Sequence, residues 1–413
     1  MTDAIVGLDI GTSSIRVAIG ELIDENTVEI MGLAKRPSEG LRNGSIVNIE
    51  AAITAIKDTI EQAEQNAGVE VLSCVTAIGG SQIESYNSHG LAAVSNKNQP
   101  NREINEADKE RALESARATL IPLDREFLHV VPRDYTVDGT SGIKDPIHMI
   151  GVRLETDVHI VTASKTAIQN VFSCVSRAGY SLDKVWLKTL AQIQSVAHED
   201  ELDMGSILID LGAGTTDVLV IVDGAPICSL SIPVGGNLVT NDISIVKGIP
   251  FAAAENIKIE SGCCFLPALG TNEEVIIPGV GGRPNELASQ DELCRIIQPR
   301  MEEIFSMVRS EIVHKTDLQR LSGNIILTGG GAEMQGVVEL AQNVFGTTAV
   351  RLGIPESLGG IEEDYRKPEF ATAIGLVVAQ KNQYKSPDRV AKRNSSSGNK
   401  GESFIKKFIK QLF

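Results

Sequence analysis

The chain has 413 residues, which is too long for one hydrophobic core and predicts two to four domains. Hydrophobic residues make up 42% and charged residues 22%, as in soluble proteins, and no stretch approaches the roughly 20 apolar residues of a membrane-spanning helix. The net charge is −16, but residues 381–413 carry +7 and the rest carries −23. An acidic body argues against nucleic-acid binding.

The first 80 residues have the pattern of an α/β unit. Residues 5–10 and 15–20 are predicted to pair as strands around a glycine-containing turn, and residues 28–34 add another strand. A helix is predicted over 50–66 and a buried strand over 71–78. The first residues, Met1–Ala4, include no basic residue, and Asp9 interrupts the apolar run that follows, so a signal peptide is not expected.

Residues 84–160 have a different pattern, which we interpret as an inserted α+β subdomain. A helix is predicted over 105–118, followed by an apolar strand over 127–135 and an alternating strand over 152–161. The six cysteines of the chain show no CxxC spacing and most lie in apolar runs. This favours reduced core thiols in a cytosolic protein.

Helical spacing returns over 164–178 and 189–198, before paired strands over 206–211 and 217–222. Residues 235–310 are less regular. Gln192 lies in the second of these helices, and the sequence leaves open whether it orients a water molecule or only packs.

The last part of the body begins with a helix over 291–314, which Pro299 is expected to kink or break. A strand over 324–327 then runs into the glycine-rich segment Thr328–Ala332, and a helix is predicted from Met334 to Phe345. Backbone amides of the glycine-rich segment would then lie at a helix N-terminus, where they suit a phosphate or a nucleotide edge.

A last apolar helix over 370–380 precedes a polar segment, 381–402, that lacks the apolar residues needed to fold and predicts a flexible linker. On a helical wheel the apolar residues of 403–413 occupy one half and the lysines the other, after a plausible N-cap at Ser403. This pattern is typical of an interfacial membrane helix on a tether, with docking to the body or to a partner as the alternative. A helix this short binds weakly alone, so self-association would supply the avidity.

One short motif occurs twice, about 200 residues apart. Gly7–Ser14 and Leu208–Asp217 both contain an apolar strand, an aspartate and a glycine-rich turn with hydroxyl groups. Glycine lets the amides of such a turn approach a phosphate closely. Asp9 and Asp210 at the strand ends suit Mg²⁺ held through water, or they are simple turn formers. Two copies predict a duplicated domain that grips one polyphosphate from both sides.

Glu255 and Lys258 are three residues apart in a helical stretch and share one face. The spacing alone leaves two interpretations open. The pair is either a surface ion pair or a contact with the ribose and base of a nucleotide.

Three motifs resemble the phosphate-1, phosphate-2 and adenosine motifs of the actin/Hsp70/sugar-kinase superfamily: Asp9–Thr12, Asp210–Thr216 and Leu327–Ala332. Further segments, together with the linker and the C-terminal helix, resemble FtsA, the bacterial actin-like cell-division family. These segments are Leu128–Pro132, Gly142–Pro146, Gly151–Leu154, His159–Thr162, Val234–Asn237, Ala254–Lys258, Val280–Pro284 and Ile297–Arg300. The resemblance covers essentially the whole chain.

The resemblance implies an α/β class: a duplicated actin-like (ribonuclease H-like) ATPase fold with an inserted α+β subdomain, a disordered linker and a C-terminal amphipathic helix. It also implies a division of the chain. The expected parts are subdomain 1A (1–83, 162–193 and 355–380), the inserted subdomain 1C (84–161), 2A (194–235 and 310–354), 2B (236–309), the flexible linker (381–402) and a membrane-targeting amphipathic helix (403–413).

The function that the resemblance implies is that of a polymerising, membrane-associated scaffold of cell division. ATP with Mg²⁺ would bind between the two halves, and filaments would form on the cytoplasmic side of the cell membrane at the division site. There the protein would bind the C-terminal peptide of the tubulin-like FtsZ and recruit later division proteins. ATPase activity is expected to be weak at most, so whether the chain is an enzyme stays open, and no catalytic residue or metabolic activity is predicted. A sugar kinase and the pilus-assembly actin homologue are the alternatives.

Site residues follow from the same resemblance. The expected cofactor-binding residues are Gly11, Thr12, Ser13, Ser14, Arg16, Gly212, Gly214, Thr215, Thr216, Gly236, Asn237, Glu255, Lys258, Gly329, Gly330 and Gly331, with Asp9 and Asp210 holding Mg²⁺ through water. Arg300 matches the region that contacts the FtsZ peptide. The expected contacts with an anionic lipid membrane are Phe404, Ile405, Lys406, Lys407, Phe408, Ile409, Lys410, Leu412 and Phe413.

Two positions depart from the family pattern. Ser14 stands where the family often has lysine, and Arg16 could supply the missing charge if the strand geometry allows it. Ala213 replaces a common glycine and should stiffen the second turn.

Overall fold

The computed structural model describes residues 4–24, 27–95, 102–316 and 323–384. Its strands are β1 Ala4–Ile10, β2 Ser14–Leu22, β3 Val28–Pro37, β4 Leu41–Arg42, β5 Ser45–Ile46, β6 Ser73–Ile78, β7 Ile83–Ala93, β8 Arg102–Glu103, β9 Arg125–Val137, β10 Thr140–Ile143, β11 Ile150–Gly151, β12 Arg153–Ser164, β13 Ser181–Leu187, β14 Ser206–Leu211, β15 Thr216–Val222, β16 Ala225–Ile232, β17 Glu274–Ile277, β18 Glu286–Ser289, β19 Asn324–Thr328 and β20 Val350–Leu352. Its helices are α1 Ile49–Ala67, α2 Glu106–Arg117, α3 Lys165–Arg177, α4 Lys188–Val196, α5 Glu199–Met204, α6 Gly236–Lys247, α7 Phe251–Ser261, α8 Gln290–Thr316, α9 Val337–Phe345, α10 Glu362–Tyr365 and α11 Ala371–Tyr384.

Two five-stranded sheets share one topology. In the first the order is β13-β6-β1-β2-β3, and in the second, read in the same direction, it is β20-β19-β14-β15-β16. In both, the first three strands are parallel and the last two pairings are antiparallel. The predicted duplication of an α/β unit is therefore confirmed.

Helices α4 and α11 pack closely together, and α11 also packs on β1. Every residue of α4 except its first is buried, and one apolar cluster joins α4 and α11 to residues of both sheets, such as Val75 and Leu208. The two halves therefore share a hydrophobic core. Burial of this apolar area is the main favourable contribution to holding them together.

The insert is a four-stranded antiparallel sheet of order β10-β9-β12-β7, with α2 packed on β7 and β12. This confirms the predicted α+β insert, while the exact subdomain boundaries stay a prediction. The insert also contacts β16 of the second half. There the ring of His159 is buried. Its Nε2 lies 3.0 Å from Ser229 Oγ, and its Nδ1 lies 2.9 Å from Asn87 Oδ1.

The second half contains regular structure that the sequence pattern did not predict. Helix α6 and the β17–β18 hairpin lie within the region expected to be irregular, whereas α7 contains the stretch around Glu255 and Lys258 that was expected to be helical. Helix α8 contacts α6, α9 and β16 and buries one side of its length. Pro299 was expected to kink or break this helix; the break is wrong, because α8 continues through Pro299, and the kink stays a prediction. The loss of one backbone hydrogen bond is outweighed there by packing of Ile297 and Met301.

Two other boundaries were wrong. The helix expected from Met334 begins at Val337, because Gly336 has φ +82°, outside the right-handed helical region. The segment before it, Gly330–Glu333, is a 3-10 helix, so the glycine-rich amides do not lie at an α-helix N-terminus. At the other end, α11 runs to Tyr384, four residues into the expected linker.

The rest of the linker and the amphipathic segment lie outside the described residues. Within the described part of the chain, no helix combines the length and the apolar character needed to cross a membrane. All six cysteines are buried and unbridged, as predicted.

Candidate functional site

The two turns of the repeated motif are built alike. Each joins antiparallel strands, β1 to β2 and β14 to β15. A Cβ on Gly11 would lie 2.7 Å from the carbonyl oxygen of Ser14, and one on Gly212 would lie 2.8 Å from that of Thr215. Neither distance is tolerated by a side chain, so both turns require glycine at the same place.

Both turns line one cavity of about 670 Å³, a size typical of small-molecule sites. The predicted site residues that line it are Asp9, Gly11, Thr12, Ser13, Ser14, Arg16, Asp210, Gly212, Thr216, Gly236, Glu255, Lys258, Gly329, Gly330 and Gly331. Gly214 and Thr215 line a smaller adjoining cavity, and Asn237 lines neither of the two. The fold therefore brings most of the predicted residues together.

The glycine-rich segment after β19 packs against the second turn. Gly329 has φ +82°, and a Cβ there would lie 2.1 Å from Asp210 Oδ1. A Cβ on Gly331 would lie 2.9 Å from Leu211 Cβ. Glycine at these positions lets the segment close one wall of the cavity directly over the end of β14.

Arg16 faces the cavity, as its predicted role requires. Its guanidinium donates to Glu369 Oε2 at 2.9 Å through Nη2, and Nη1 lies 3.5 Å from Asp9 Oδ2. Lys35 Nζ donates to the same Glu369 oxygen at 2.5 Å. Burial acts to raise the pKa of Glu369, but the two cations outweigh it and hold that pKa below its usual value. Ser14 Oγ is buried and has no hydrogen-bond partner within the described residues.

Lys188, the first residue of α4, is a site residue that the sequence analysis missed. Its ammonium lies 2.6 Å from Asp210 Oδ2 and lines both cavities. Burial acts to lower the pKa of this ammonium, but the surrounding carboxylates outweigh burial and raise it above its ordinary value. These carboxylates belong to Asp210, Asp9 and Asp217. The available signal was a lysine directly after a strand whose last two residues, Trp186 and Leu187, are large and apolar.

Burial raises the pKa of Asp9 and of Asp217, and Lys188 opposes both shifts. Asp217 Oδ1 accepts the backbone N–H of Gly80 at 2.9 Å, and Oδ2 accepts from Thr215 Oγ1 at 3.2 Å. Asp217 therefore joins the second turn to a loop of the first half. The sequence analysis placed Asp217 in the motif without a role.

Glu255 and Lys258 form a half-buried network at the cavity wall. Lys258 Nζ donates to Glu255 Oε2 at 2.7 Å, to Thr240 Oγ1 at 2.8 Å and to the carbonyl oxygen of Gly236 at 3.2 Å. The lysine side chain is only 10% exposed. This geometry favours the cavity role over an isolated surface pair. The amides of Gly236 and Asn237 bond the carbonyls of the second turn, so they brace that turn.

Gln192 also lines the cavity. Its Nε2 donates to Thr372 Oγ1 at 3.0 Å, while its buried Oε1 accepts no hydrogen bond within the part of the chain that the structure describes. An unsatisfied buried acceptor at a cavity wall is free to bind a ligand or a water molecule.

Arg300 lies away from the cavity on α8. Its Nε donates to Asp242 Oδ2 at 2.6 Å and its Nη2 to Asp242 Oδ1 at 3.1 Å, and Nη1 bonds Glu303. The side chain is 29% exposed. The guanidinium is thus held in a fixed orientation at the surface, with α6 supplying the bidentate carboxylate.

Direct metal coordination is not supported by the described residues, among which no group of three or more histidine, cysteine or acidic side chains could hold an ion. Asp210 Oδ1 is buried without a hydrogen bond from those residues and lies at the cavity. The residues present would fit a metal ion held through water and ligand oxygens, and the role of Asp9 and Asp210 in holding it stays a prediction.

Comparison with known proteins gives two family models that match the chain. The model described as Cell division protein FtsA matches residues 207–375, and the model described as SHS2 domain inserted in FTSA matches residues 80–162. The chain is 43% identical to the Cell division protein FtsA of Borreliella burgdorferi over 92% of each chain. It is 40% identical to that of Pseudomonas aeruginosa over 91% of this chain and 88% of the relative.

Solved structures show the same fold. A PilM-PilN type IV pilus biogenesis complex matches with a TM-score of 0.65 and 18% identity, covering 91% of this chain and 97% of the other. MreB5 of Spiroplasma citri bound to ADP matches with a TM-score of 0.53 and 13% identity, covering 95% and 99%. At these identities the likeness establishes the actin-like architecture alone.

The sequence relatives decide the family. Relatives more than 40% identical over nine-tenths of the chain, with a family-specific model on the insert, favour the cell-division family over a sugar kinase or the pilus-assembly homologue. The chain belongs to the FtsA family of bacterial cell-division proteins.

Proposed function

We propose that the protein is an ATP-binding, polymerising scaffold that anchors FtsZ to the cytoplasmic side of the cell membrane at the division site and recruits later division proteins there. The observation that carries this proposal is FtsA family membership over nine-tenths of the chain. The cavity between the repeated turns supplies the ligand site that such a nucleotide-dependent scaffold requires.

The nucleotide phosphates would lie between the turns at Gly11 and Gly212, where backbone amides can approach them. The ribose and base would extend toward Glu255 and Lys258 on one side and the glycine-rich segment on the other. Arg16 supplies a cation close to the first turn, in place of the lysine absent at position 14. MreB5 of Spiroplasma citri, which shares the fold, is bound to ADP, and this supports a nucleotide as the ligand.

Mg²⁺ would accompany ATP and be held through water by Asp9 and Asp210. The unsatisfied Asp210 Oδ1 supports this role, because it can accept a hydrogen bond from a metal-bound water molecule. The ion would neutralise phosphate charge when bound. Gln192 is the residue best placed to bind a water molecule at the cavity wall, but weak hydrolysis at most is proposed.

The FtsZ peptide would bind at the surface of α6 and α8 around Arg300. An arginine held by Asp242 presents a planar, oriented guanidinium, which suits a carboxylate of an acidic peptide. Arg300→Glu should then abolish binding of the FtsZ C-terminal peptide in a fluorescence-anisotropy titration. Arg295→Glu is the matched control, since Arg295 is an exposed arginine of the same helix that pairs only with Asp291 among the interactions seen.

The membrane contact would come from the amphipathic segment 403–413, and polymerisation would add avidity to a helix that is too short to bind strongly alone. We would test it by co-sedimentation with liposomes containing anionic lipid, with and without Mg²⁺ and ATP. The full chain should pellet with the liposomes, and a chain ending at Glu402 should stay in solution.

Two point variants sharpen that experiment without changing the length of the chain. Phe408→Glu places a charge in the apolar half of the helix and should release the protein from liposomes. Gln411→Glu adds the same charge outside that half and should reduce binding much less. If the full chain and the truncated chain sedimented equally, the membrane tether would be contradicted. The sugar-kinase alternative would then be tested by screening for substrate-dependent ATP turnover.

A further inference from the structure

The two aspartates of the repeated motif have different partners. Asp9 lies opposite Arg16 in the β1–β2 pairing, whereas Asp210 lies opposite Asp217 in the β14–β15 pairing. The second hairpin therefore brings two carboxylates together and carries no cation of its own at this register. The cation comes from the other half of the molecule, as Lys188 at the start of α4.

The position of Lys188 is unfavourable by itself. A cation at a helix N-terminus is opposed by the helix dipole, and a mostly buried ammonium needs a paired carboxylate. The Lys188 side chain is 19% exposed, and its partner Asp210 is 1% exposed. Within the described residues, the carboxylates around it offset these costs, and its ammonium lies on the cavity wall beside both turns.

We propose that Lys188 is a built-in counter-cation of the nucleotide site, which takes over much of the charge neutralisation that Mg²⁺ would otherwise provide. The proposal deepens the proposed ATP binding and rests on it. Neither carboxylate oxygen of Asp210 has a hydrogen bond from the described residues, but Lys188 Nζ already lies 2.6 Å from Oδ2, so a water-bound ion here would share the carboxylate with a cation of the chain. The chain should consequently bind ATP with little dependence on Mg²⁺.

The first test is the affinity for a fluorescent ATP analogue, measured by titration in excess Mg²⁺ and again in EDTA. The unaltered chain should lose less than about fivefold in affinity when Mg²⁺ is removed. The affinity of Lys188→Met should fall at least about 30-fold when Mg²⁺ is removed. The buried carboxylates have lost their lysine partner in this variant, and only the ion can replace it. Lys184→Met removes a lysine from the preceding strand, outside both cavities, and should behave like the unaltered chain.

The second test needs no nucleotide. Without Lys188 the carboxylates are left uncompensated, so Mg²⁺ should raise the melting temperature of Lys188→Met by several degrees more than that of the unaltered chain. Equal shifts would overturn the inference, as would an unaltered chain that binds the ATP analogue only with Mg²⁺.

These outcomes separate the two proposals. If the unaltered chain bound the ATP analogue under neither condition, the proposed nucleotide binding would fail, and the nucleotide-free melting curves would still decide the role of Lys188. If Lys188→Met did not fold, the EDTA titration of the unaltered chain alone would still support or overturn the inference.

Discussion

The two repeated turns have the same backbone but different electrostatics. Both need glycine at the same position and for the same steric reason. The first turn carries its own cation, because Arg16 stands across from Asp9. The second places Asp217 across from Asp210 and depends on Lys188 from the first half. The two turns thus share one shape, but the charge of the second turn is balanced by a lysine from the other half.

The halves also meet away from the cavity, and this second contact is neutral. His159 of the insert lies between Asn87 and Ser229, fully buried. Burial lowers the pKa of His159 to about 3, with the nearby Arg133 adding to this effect. The contacts between the halves therefore include an ion pair at the cavity and, away from it, a hydrogen-bonded ring that must stay uncharged.

The largest expected effect comes from removing the ion pair between Lys188 and Asp210. Lys188→Met, measured in EDTA by urea unfolding at pH 7, should reduce the free energy of unfolding by about 3–5 kcal/mol, because carboxylates stay buried without a partner. The loss should shrink at lower pH, where those carboxylates become protonated. Lys57→Met is the control, since this lysine is 53% exposed in a helix-surface pair and should change stability by at most about 1 kcal/mol.

The next effect tests the wall that closes over the second turn. Gly329→Ala should reduce the free energy of unfolding by about 2–4 kcal/mol, because the new Cβ meets Asp210 Oδ1 and φ is positive. Gly139→Ala has a similar φ of +88° and open space around it, so it should show the backbone strain alone, about 1 kcal/mol. Equal losses in the two variants would mean that contact with Asp210 is unimportant.

Acidification should weaken the neutral contact. A histidine whose pKa is lowered by folding contributes stability above its unfolded value near 6.5, and this contribution is lost as the pH falls toward its folded value. Below pH 6.5 the free energy of unfolding of the unaltered chain should decline as the pH falls. In His159→Gln this decline should be shallower by up to about 1.4 kcal/mol per pH unit. Unfolding curves at pH 7.5, 6.5 and 5.5 would show this, with the exposed His148→Gln as control. An unchanged slope in His159→Gln would exclude this histidine as a source of acid sensitivity.

The smallest expected effects compare the hydroxyl groups of the two turns. Thr12 Oγ1 accepts the backbone N–H of Gly44 at 2.9 Å, and Thr215 Oγ1 donates to Asp217 at 3.2 Å. Thr12→Val and Thr215→Val should each reduce the free energy of unfolding by about 1 kcal/mol. Thr215→Val should be the milder, because Asp217 keeps its bond from Gly80. Chemical denaturation of both variants in parallel would reveal the order, and the reverse order would mean that the second turn depends more on its hydroxyl.

The sequence pattern alone determined the duplicated motif and the inserted α+β subdomain, because strands, glycine turns and strand-end aspartates are local patterns that keep their meaning wherever the segment lies. The actin-like class and most residues of the cavity wall were implied by the resemblance to the FtsA family. The start of α9 was misjudged, because the φ angle of one residue, Gly336, decided it. The sequence left open whether α8 continues through Pro299, because the packing of one helix face decided that.

Only the tertiary structure decided which charges meet. Lys188 and Asp210 are 22 positions apart on different elements, and Arg16 finds Glu369 at the opposite end of the described chain. The periodicity of the sequence cannot predict such ion pairs, because they form only when the two sheets pack on the shared helices α4 and α11. Ion pairing and the exclusion of water depend on distance in space, and the order of residues does not fix that distance.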